Sequence, residues 1–312
     1  MRRTVVLAVA AALPLAARAP HAQIIPDVPD VTDLAPASKY LAYFAITSTP
    51  LGALPPAVGA QLAGADRQRG IGFRAQFGQV TDQGLGGLNA GSFDITRRVI
   101  AAGIDIPLGR GTLGLTGGYL DFGCDEINGE FDLDGDGVND FGLRLGCKSG
   151  LTGGASWSMP LIRHAPASAA RTGVLVGLDA DVGASSGDLL EARITDASAG
   201  SPLSLTVKLS TSALAAGLGI PVGLVVRSGG LTVVPHVVPR VAWGRTKIEV
   251  PSLGGLGADA GLSAAEDDVR FMLGGGLSLL SDSGLGIEVG VQKVFVDQGK
   301  TTIGAGVSWT RR

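Results

Sequence analysis

The feature that most constrains the fold is a strict alternation of apolar residues with small or polar residues, repeated along most of the chain. Near the C-terminus, one phase consists of Ile303, Ala305, Val307 and Trp309 and the other of Thr302, Gly304, Gly306 and Ser308. Successive side chains of a β-strand point to opposite faces, so the pattern predicts a strand with one apolar face. Nine upstream segments, beginning at Gly70, show the same alternation.

A soluble sandwich would bury these apolar faces, whereas a barrel in a membrane turns them outward to lipid. Wide apolar faces opposite Gly, Ser, Thr and charged residues favour the lipid-facing barrel. Long connections alternate with shorter ones such as the Leu108–Gly111 turn, as expected if the long loops share one rim. We therefore predict an all-β, transmembrane, antiparallel up-and-down barrel of about ten strands over residues 70–312.

One of the predicted strands, residues 203–220, changes its phase. Its first half places Leu203, Leu205, Val207 and Leu209 in one phase, and its second half places Leu214, Ala216, Leu218 and Ile220 in the other. One extra residue in a strand turns every later side chain to the opposite face. The pattern therefore predicts a β-bulge near Thr211.

The N-terminal residues differ in character from the rest of the chain. Arg2 and Arg3 precede an apolar run and then small residues, which predicts a secretory signal peptide over residues 1–22. Residues 23–69 are proline-rich and predict an irregular periplasmic lead-in or a lumen segment. Within them, 40–46 are apolar in both phases, which leaves open a short helix, extra strands that would make twelve, or a segment inside the lumen.

In these features the chain resembles the bacterial outer-membrane β-barrel families. The resemblance rests on the signal peptide, the Gly-rich alternating strands, the alternating loop lengths and Trp309 near the end of the last strand. Those families usually end on the aromatic residue itself, whereas Thr310, Arg311 and Arg312 follow it here. The resemblance implies a bacterial outer-membrane location, contact with outer-membrane lipid and recognition by the barrel insertion machinery. It also implies a structural, surface-interaction or narrow small-solute channel role, with no cargo identified.

The segment after the third predicted strand carries aspartates at alternate positions, as in a calcium loop, with Gly137 at the turn position. The candidate ligands are Asp132, Asp134, Asp136, Val138 through its carbonyl, and Asp140. Leu143 stands where a complete loop has a bidentate Glu, so the site would be weak, and a solvated acidic turn is the alternative.

Cys124 and Cys147 flank this segment. They are the only cysteines of an exported chain, which predicts a disulfide.

Charged residues in the inward phase of the strands are predicted to fill the lumen as ion pairs, because buried charges persist only when partnered. They are Arg74, Arg97, Asp105, Asp179, Asp181, His236, Arg240, Arg270 and Glu288.

An outer-membrane protease or lipase would place a nucleophile or water-activating dyad beside a histidine, and no spacing here identifies one. An enzyme with a site at the extracellular rim and a soluble secreted β-protein remain the alternatives. The net charge of -3 argues against a nucleic-acid partner.

Overall fold

The structure is a computed structural model that describes residues 35–59, 61, 70–82, 95–124, 127–131, 141–164, 172–196, 203–250, 253–254, 262–296 and 300–310. The predicted signal peptide and the predicted calcium loop, residues 132–140, lie outside the described residues. The helices α1 (Ala35–Ser48) and α2 (Pro50–Ala53) precede the strands. The strands are β1 (Gly72–Asp82), β2 (Ile95–Leu108), β3 (Gly111–Gly123), β4 (Ile127–Phe131), β5 (Phe141–Cys147), β6 (Ser149–His164), β7 (Thr172–Asp196), β8 (Leu203–Gly219), β9 (Val222–Ser228), β10 (Leu231–Val250), β11 (Leu253–Gly254), β12 (Leu262–Ser281), β13 (Leu285–Val294) and β14 (Thr301–Thr310).

The strands form a closed antiparallel barrel, because the last strand, β14, pairs with the first, β1. At this seam Phe73 is opposite Trp309, and their rings stack with centroids 6.3 Å apart. β8 and β9 both lie between β7 and β10 and share one position in the wall. The wall therefore has the predicted ten positions: β1, β2, β3, β6, β7, β8 with β9, β10, β12, β13 and β14.

The two rims of the barrel differ. Tight turns join β2 to β3, β9 to β10 and β12 to β13 at one rim, here called the turn end. Gly109 and Gly284 have positive φ values of 62° and 92° in two of these turns, a conformation that favours glycine. The long connections lie at the opposite rim, here called the loop end. Outer-membrane barrels have short periplasmic turns and longer extracellular loops, so the loop end faces the exterior.

The outer face of the wall is an apolar belt. Large apolar side chains on every wall strand point away from the lumen and are exposed, with Ile100 at 63% and Leu218 at 62%. A surface of this kind is stable only in contact with hydrocarbon, and a closed barrel leaves no unpaired strand edge in it. The chain is thus a transmembrane β-barrel of the bacterial outer-membrane type. Among the described residues, no helix is long and apolar enough to cross a membrane.

Two prolines lie within β10, at positions where each removes a backbone hydrogen-bond donor. Ile220 donates its N–H to the Pro239 carbonyl at 3.0 Å, so residue 239 faces the β8–β9 side of the strand. β8 ends at Gly219 and β9 begins at Val222, so the ladder is interrupted opposite Pro239. Pro235 faces the same side, where pairing with β9 is also interrupted. The prolines therefore coincide with gaps in the ladder.

The bulge predicted near Thr211 was placed on the wrong strand. β8 keeps one phase, with Leu205, Thr211 and Ala215 all buried inside, and the register shift lies on β7 between Asp188 and Leu190. The apolar phase of β8 changes because the surroundings change along its length. Within the bilayer its apolar side chains face outward to lipid, whereas beyond the bilayer they face inward.

The loop end carries an extension of the wall. β7, β8, β10 and β12 continue past the neighbouring strands, and the β4–β5 hairpin pairs with the last residues of β7. Cys124 and Cys147 at the base of this hairpin form the predicted disulfide, with their Cα atoms 5.7 Å apart. The hairpin is therefore tied to the wall by strand pairing and by a covalent bond.

Candidate functional site: the plugged lumen

Residues 42–59 and 61 lie inside the barrel and, with the rest of α1, form a plug. α1 packs against β8, β10 and β12, and the chain then descends through α2 toward the turn end. Tyr43, Ala45 and Ile46 are fully buried. Of the alternatives for residues 40–46, the protein adopts a helix in the lumen. The residues of this helix can be apolar on every face, because the wall of the barrel surrounds it.

The lower part of the plug is held through its backbone carbonyls. The last carbonyls of a helix have no partner within the helix. Side chains of the wall donate hydrogen bonds to backbone carbonyls of the plug: Arg240 to Leu51 (3.5 Å), Gln292 to Leu51 (3.2 Å) and Leu54 (2.8 Å), Thr302 to Gly52 (3.0 Å) and Gln76 to Pro55 (3.5 Å). A ring nitrogen of His236 also lies 3.1 Å from the Pro56 carbonyl oxygen. These donors come from β1, β10, β13 and β14, so the plug is held from several sides.

Inward-facing glycines provide the space that the plug occupies. A Cβ atom on Gly78 would lie 1.8 Å from the Ala53 carbonyl oxygen, which is far inside van der Waals contact. A Cβ atom on Gly304 would lie 2.5 Å from Pro55, and one on Gly244 would lie 2.7 Å from the Ala42 carbonyl oxygen. The glycines of the inward phase are therefore part of the fit between wall and plug.

The upper part of the plug is centred on Arg97, which is 1% exposed. Its guanidinium donates to the Phe44 carbonyl at 3.3 Å and to the Thr47 hydroxyl. The same group lies over the rings of Tyr43 and Phe44, 5.3 Å and 4.7 Å from their centroids. Phe44 in turn stacks on Phe122 with ring centroids 5.8 Å apart. The buried cation is thus surrounded by plug groups that favour positive charge.

Deeper in the lumen, Arg240 forms ion pairs with two aspartates of β7. It contacts Asp179 closely and lies 3.0 Å from Asp181. The side chains of Arg240 and Asp179 are 5% and 2% exposed, so the pair is removed from water. A buried charge in such a position depends on its partner, because desolvation is not otherwise compensated.

A second polar group lies nearer the turn end. Arg74 is 3.4 Å from Asp105 and donates to the Thr116 hydroxyl at 2.7 Å. Gln61 of the plug donates to Asp105 at 3.2 Å and accepts a hydrogen bond from Ser158 at 3.0 Å. The plug therefore joins this network as well as the carbonyl contacts above it.

The structure places all nine predicted lumen charges on the inner side of the wall. Arg270 pairs with Asp268 near the loop end, and Glu288 accepts a hydrogen bond from Ser278 at 3.2 Å. The two ring nitrogens of His236 face the carbonyls of Val234 and Pro56, at 3.2 Å and 3.1 Å. A histidine with both nitrogens against carbonyl oxygens is not placed to accept a proton from a nucleophile.

A cavity of about 50 Å³ remains beside the plug, between its Pro50–Gln61 segment and the wall. Its lining includes Arg74, Gln76, Ser156 and Asp181. A polar cavity of this size holds a few water molecules.

The inward charges were predicted from the sequence, whereas the uncharged side chains that bind the plug were not. Gln76, Gln292 and Thr302 occupy inward phases, which was the only available signal. Their partners are far away in the sequence: Gln292 and Leu54 are 238 residues apart. The aromatic pair of the plug, Tyr43 and Phe44, gave no signal that it would surround an arginine.

Among solved structures, the chain is similar to several outer-membrane barrels. The translocator domain of autotransporter NalP from Neisseria meningitidis matches with 12% identity over 80% of this chain and 92% of that one, at a TM-score of 0.38. The beta domain of the Bordetella autotransporter BrkA matches with 14% identity over 78% and 100%, also at 0.38. Ail of Yersinia pestis matches with 9% identity over 78% and 99%, at 0.30. The barrel of this chain is defined by its own strand pairing.

No protein-family model matches the chain. No curated protein matches it in sequence.

Proposed function

We propose that the protein is a plugged, non-conducting outer-membrane barrel whose role is structural or lies in surface interaction at the loop end. The observation that carries this proposal is the set of wall side chains that bind the plug carbonyls from Leu51 to Pro56. Each net hydrogen bond is worth about 1 kcal/mol, so several such bonds together favour a plug that stays in place. A narrow solute channel is the less favoured role.

The loop end supports a surface role. The β4–β5 hairpin, its disulfide and the ends of β7, β8, β10 and β12 form an extension beyond the belt. The segment 132–140 connects β4 to β5 in the sequence, so a cation bound there would link the two strands of the hairpin. The proposal therefore includes a weak calcium site in that segment, formed by Asp132, Asp134, Asp136, Val138 and Asp140.

Contact with outer-membrane lipid follows from the belt. Insertion by the barrel insertion machinery through β14 is also part of the proposal, because β14 closes the seam with β1. The aromatic residue near the end of that strand, Trp309, lies at the outer face of the seam.

Conductance in a planar lipid bilayer tests the proposal. Purified wild-type protein is expected to give no unit current steps, whereas a variant lacking residues 35–61 is expected to give them, because the plug no longer fills the lumen. Folding of both proteins is checked by heat-modifiable migration on a gel. Unit steps from folded wild-type protein of the same size as those of the deletion variant would refute the plugged state.

A further inference from the structure

Four basic side chains lie together on the outer face of the wall, beyond the apolar belt at the loop end. They are Arg144 of β5, Arg193 of β7, Lys208 of β8 and Lys148, which lies between β5 and β6, and all four are exposed. Leu190 and Leu209 pack into the hydrophobic cluster inside the barrel, so Arg193 and Lys208, at odd spacings from them, point outward. These four residues are called the basic patch.

The two arginines of the patch directly oppose each other. Arg144 and Arg193 form a cross-strand pair of the β5–β7 ladder, which places their Cβ atoms about 4.5–5.5 Å apart. Like charges in this arrangement destabilise a sheet, and neither arginine has an ion-pair partner among the residues that the structure describes. Two guanidinium groups at this separation can hold one phosphate between them, because their planar forks match its oxygens. The pair therefore favours an anion supplied from outside the chain.

The two lysines of the patch share one carboxylate. The ammonium groups of Lys148 and Lys208 lie 3.3 Å and 4.0 Å from the same Oε2 atom of Glu191. The other nearby carboxylates, Asp188 and Glu130, lie at the edges of the patch, and neither is opposite one of its arginines. The positive charge of the arginine pair is therefore not balanced by an adjacent carboxylate.

The height of the patch above the belt follows from the strand pairing. β5 leads into β6 through Lys148, and both strands pair with β7, so they occupy one position in the wall. Leu151 of β6, 69% exposed, is the outward apolar side chain nearest the loop end at that position. At the strand tilt of such barrels, each residue rises about 2.5 Å along the membrane normal, which places Lys148 about 8 Å and Arg144 about 18 Å above Leu151.

This height decides which kind of lipid can reach the patch. The headgroup layer of an ordinary bilayer extends about 5–8 Å beyond the hydrocarbon on each side, which reaches Lys148 but not the arginine pair. We propose that the basic patch binds the headgroup of a phosphorylated glycolipid in the outer leaflet. Arg144 and Arg193 bind a phosphate on its outer sugars, and Lys148 and Lys208 lie beside the phosphates nearest the acyl chains. The site adds a specific headgroup contact to the general lipid contact of the belt and does not depend on the plug.

Binding of defined glycolipids to the purified, folded protein in a non-ionic detergent tests the inference. The probe is a fluorescent lipopolysaccharide whose core sugars carry phosphate, and EDTA is present so that divalent cations cannot bridge the lipid to carboxylates. The comparison ligands are the same molecule after removal of its phosphates, the lipid A portion alone, and inorganic phosphate as a competitor.

The test variant combines Arg144→Gln with Arg193→Gln. Its matched control is Arg98→Gln, because Arg98 is also exposed at the loop end but lies 3.8 Å from Asp121. We expect the Kd for the core-phosphorylated glycolipid to rise at least about tenfold in the double variant and less than about twofold in the control. Binding of lipid A alone should be the same in both, and Arg144→Lys with Arg193→Lys should retain part of the affinity, since the charge is kept while the forked geometry is lost.

Three results would overturn the inference. The first is an equal Kd for the glycolipid before and after removal of its phosphates, and the second is a folded double variant that binds like the wild type. The third is displacement of the glycolipid by an equal concentration of inorganic phosphate, which would identify a free-phosphate site instead of a lipid site. None of these measurements involves conductance, so the plugged state is tested separately.

Discussion

The buried ion cluster of the lumen gives the sharpest prediction of stability. Replacing Arg240 with Met leaves Asp179 and Asp181 without their cation, although their side chains are only 2% and 15% exposed. Removing one partner of a buried pair costs about 3–5 kcal/mol. Since about 1.4 kcal/mol is a factor of ten, the ratio of folded to unfolded protein should fall by hundreds to thousands of times.

The matched control removes the whole cluster. Arg240→Met combined with Asp179→Asn and Asp181→Asn leaves no charge in this cluster, and Gln292 still donates to the Leu51 carbonyl. This triple variant should lie within about 1 kcal/mol of the wild type. Urea unfolding in lipid vesicles, followed by the heat-modifiable gel band, measures all three proteins. A single variant as stable as the wild type, or a triple variant as unstable as the single one, would refute the reasoning.

Three further predictions concern the plug, the hairpin and the cation. Gly78→Val should displace the plug and produce unit current steps in a bilayer, whereas Gly117→Ala, where a Cβ atom meets nothing within 4 Å, should give no current steps. Absence of current steps from folded Gly78→Val would contradict the close fit between wall and plug. Replacing Cys124 and Cys147 with Ser should remove about 3 kcal/mol of constraint, seen as faster proteolysis of residues 127–147 with unchanged barrel migration; unchanged proteolysis would contradict it. Calcium should slow that proteolysis in the wild type but not in Asp134→Asn, and equal protection of both would argue for a solvated turn.

The barrel could be predicted from sequence because lipid imposes one rule on every wall strand. The alternation of residues 301–310 and its counterparts gave ten strands, and the exported cysteines gave the disulfide. Apolar side chains no longer face outward in the parts of the strands that extend beyond the bilayer. Leu205 and Leu209 lie beyond the bilayer, where apolar side chains turn inward, so their phase was misinterpreted as a bulge on β8.

The plug was harder to predict because its environment has no periodicity. A helix inside a lumen contacts the wall all around, so Tyr43 and Phe44 can both be buried without an amphipathic pattern. Its partners are single polar residues such as Gln292 and Thr302, which sequence places on the inner face without indicating what they bind. Charges were predicted to pair with one another, and the contacts of Arg97 with the plug were not predicted.

Spin-label accessibility shows whether the outer belt touches lipid or water. Nitroxide spin labels at Ile104, Val237 and Val289, all exposed on the outer face, report collisions with oxygen, which dissolves in hydrocarbon, and with a nickel chelate, which stays in water. In lipid vesicles, high oxygen and low nickel accessibility at all three sites is the expected result. Nickel accessibility equal to that of a label at Glu249 would contradict a lipid-facing belt and, with it, the membrane barrel.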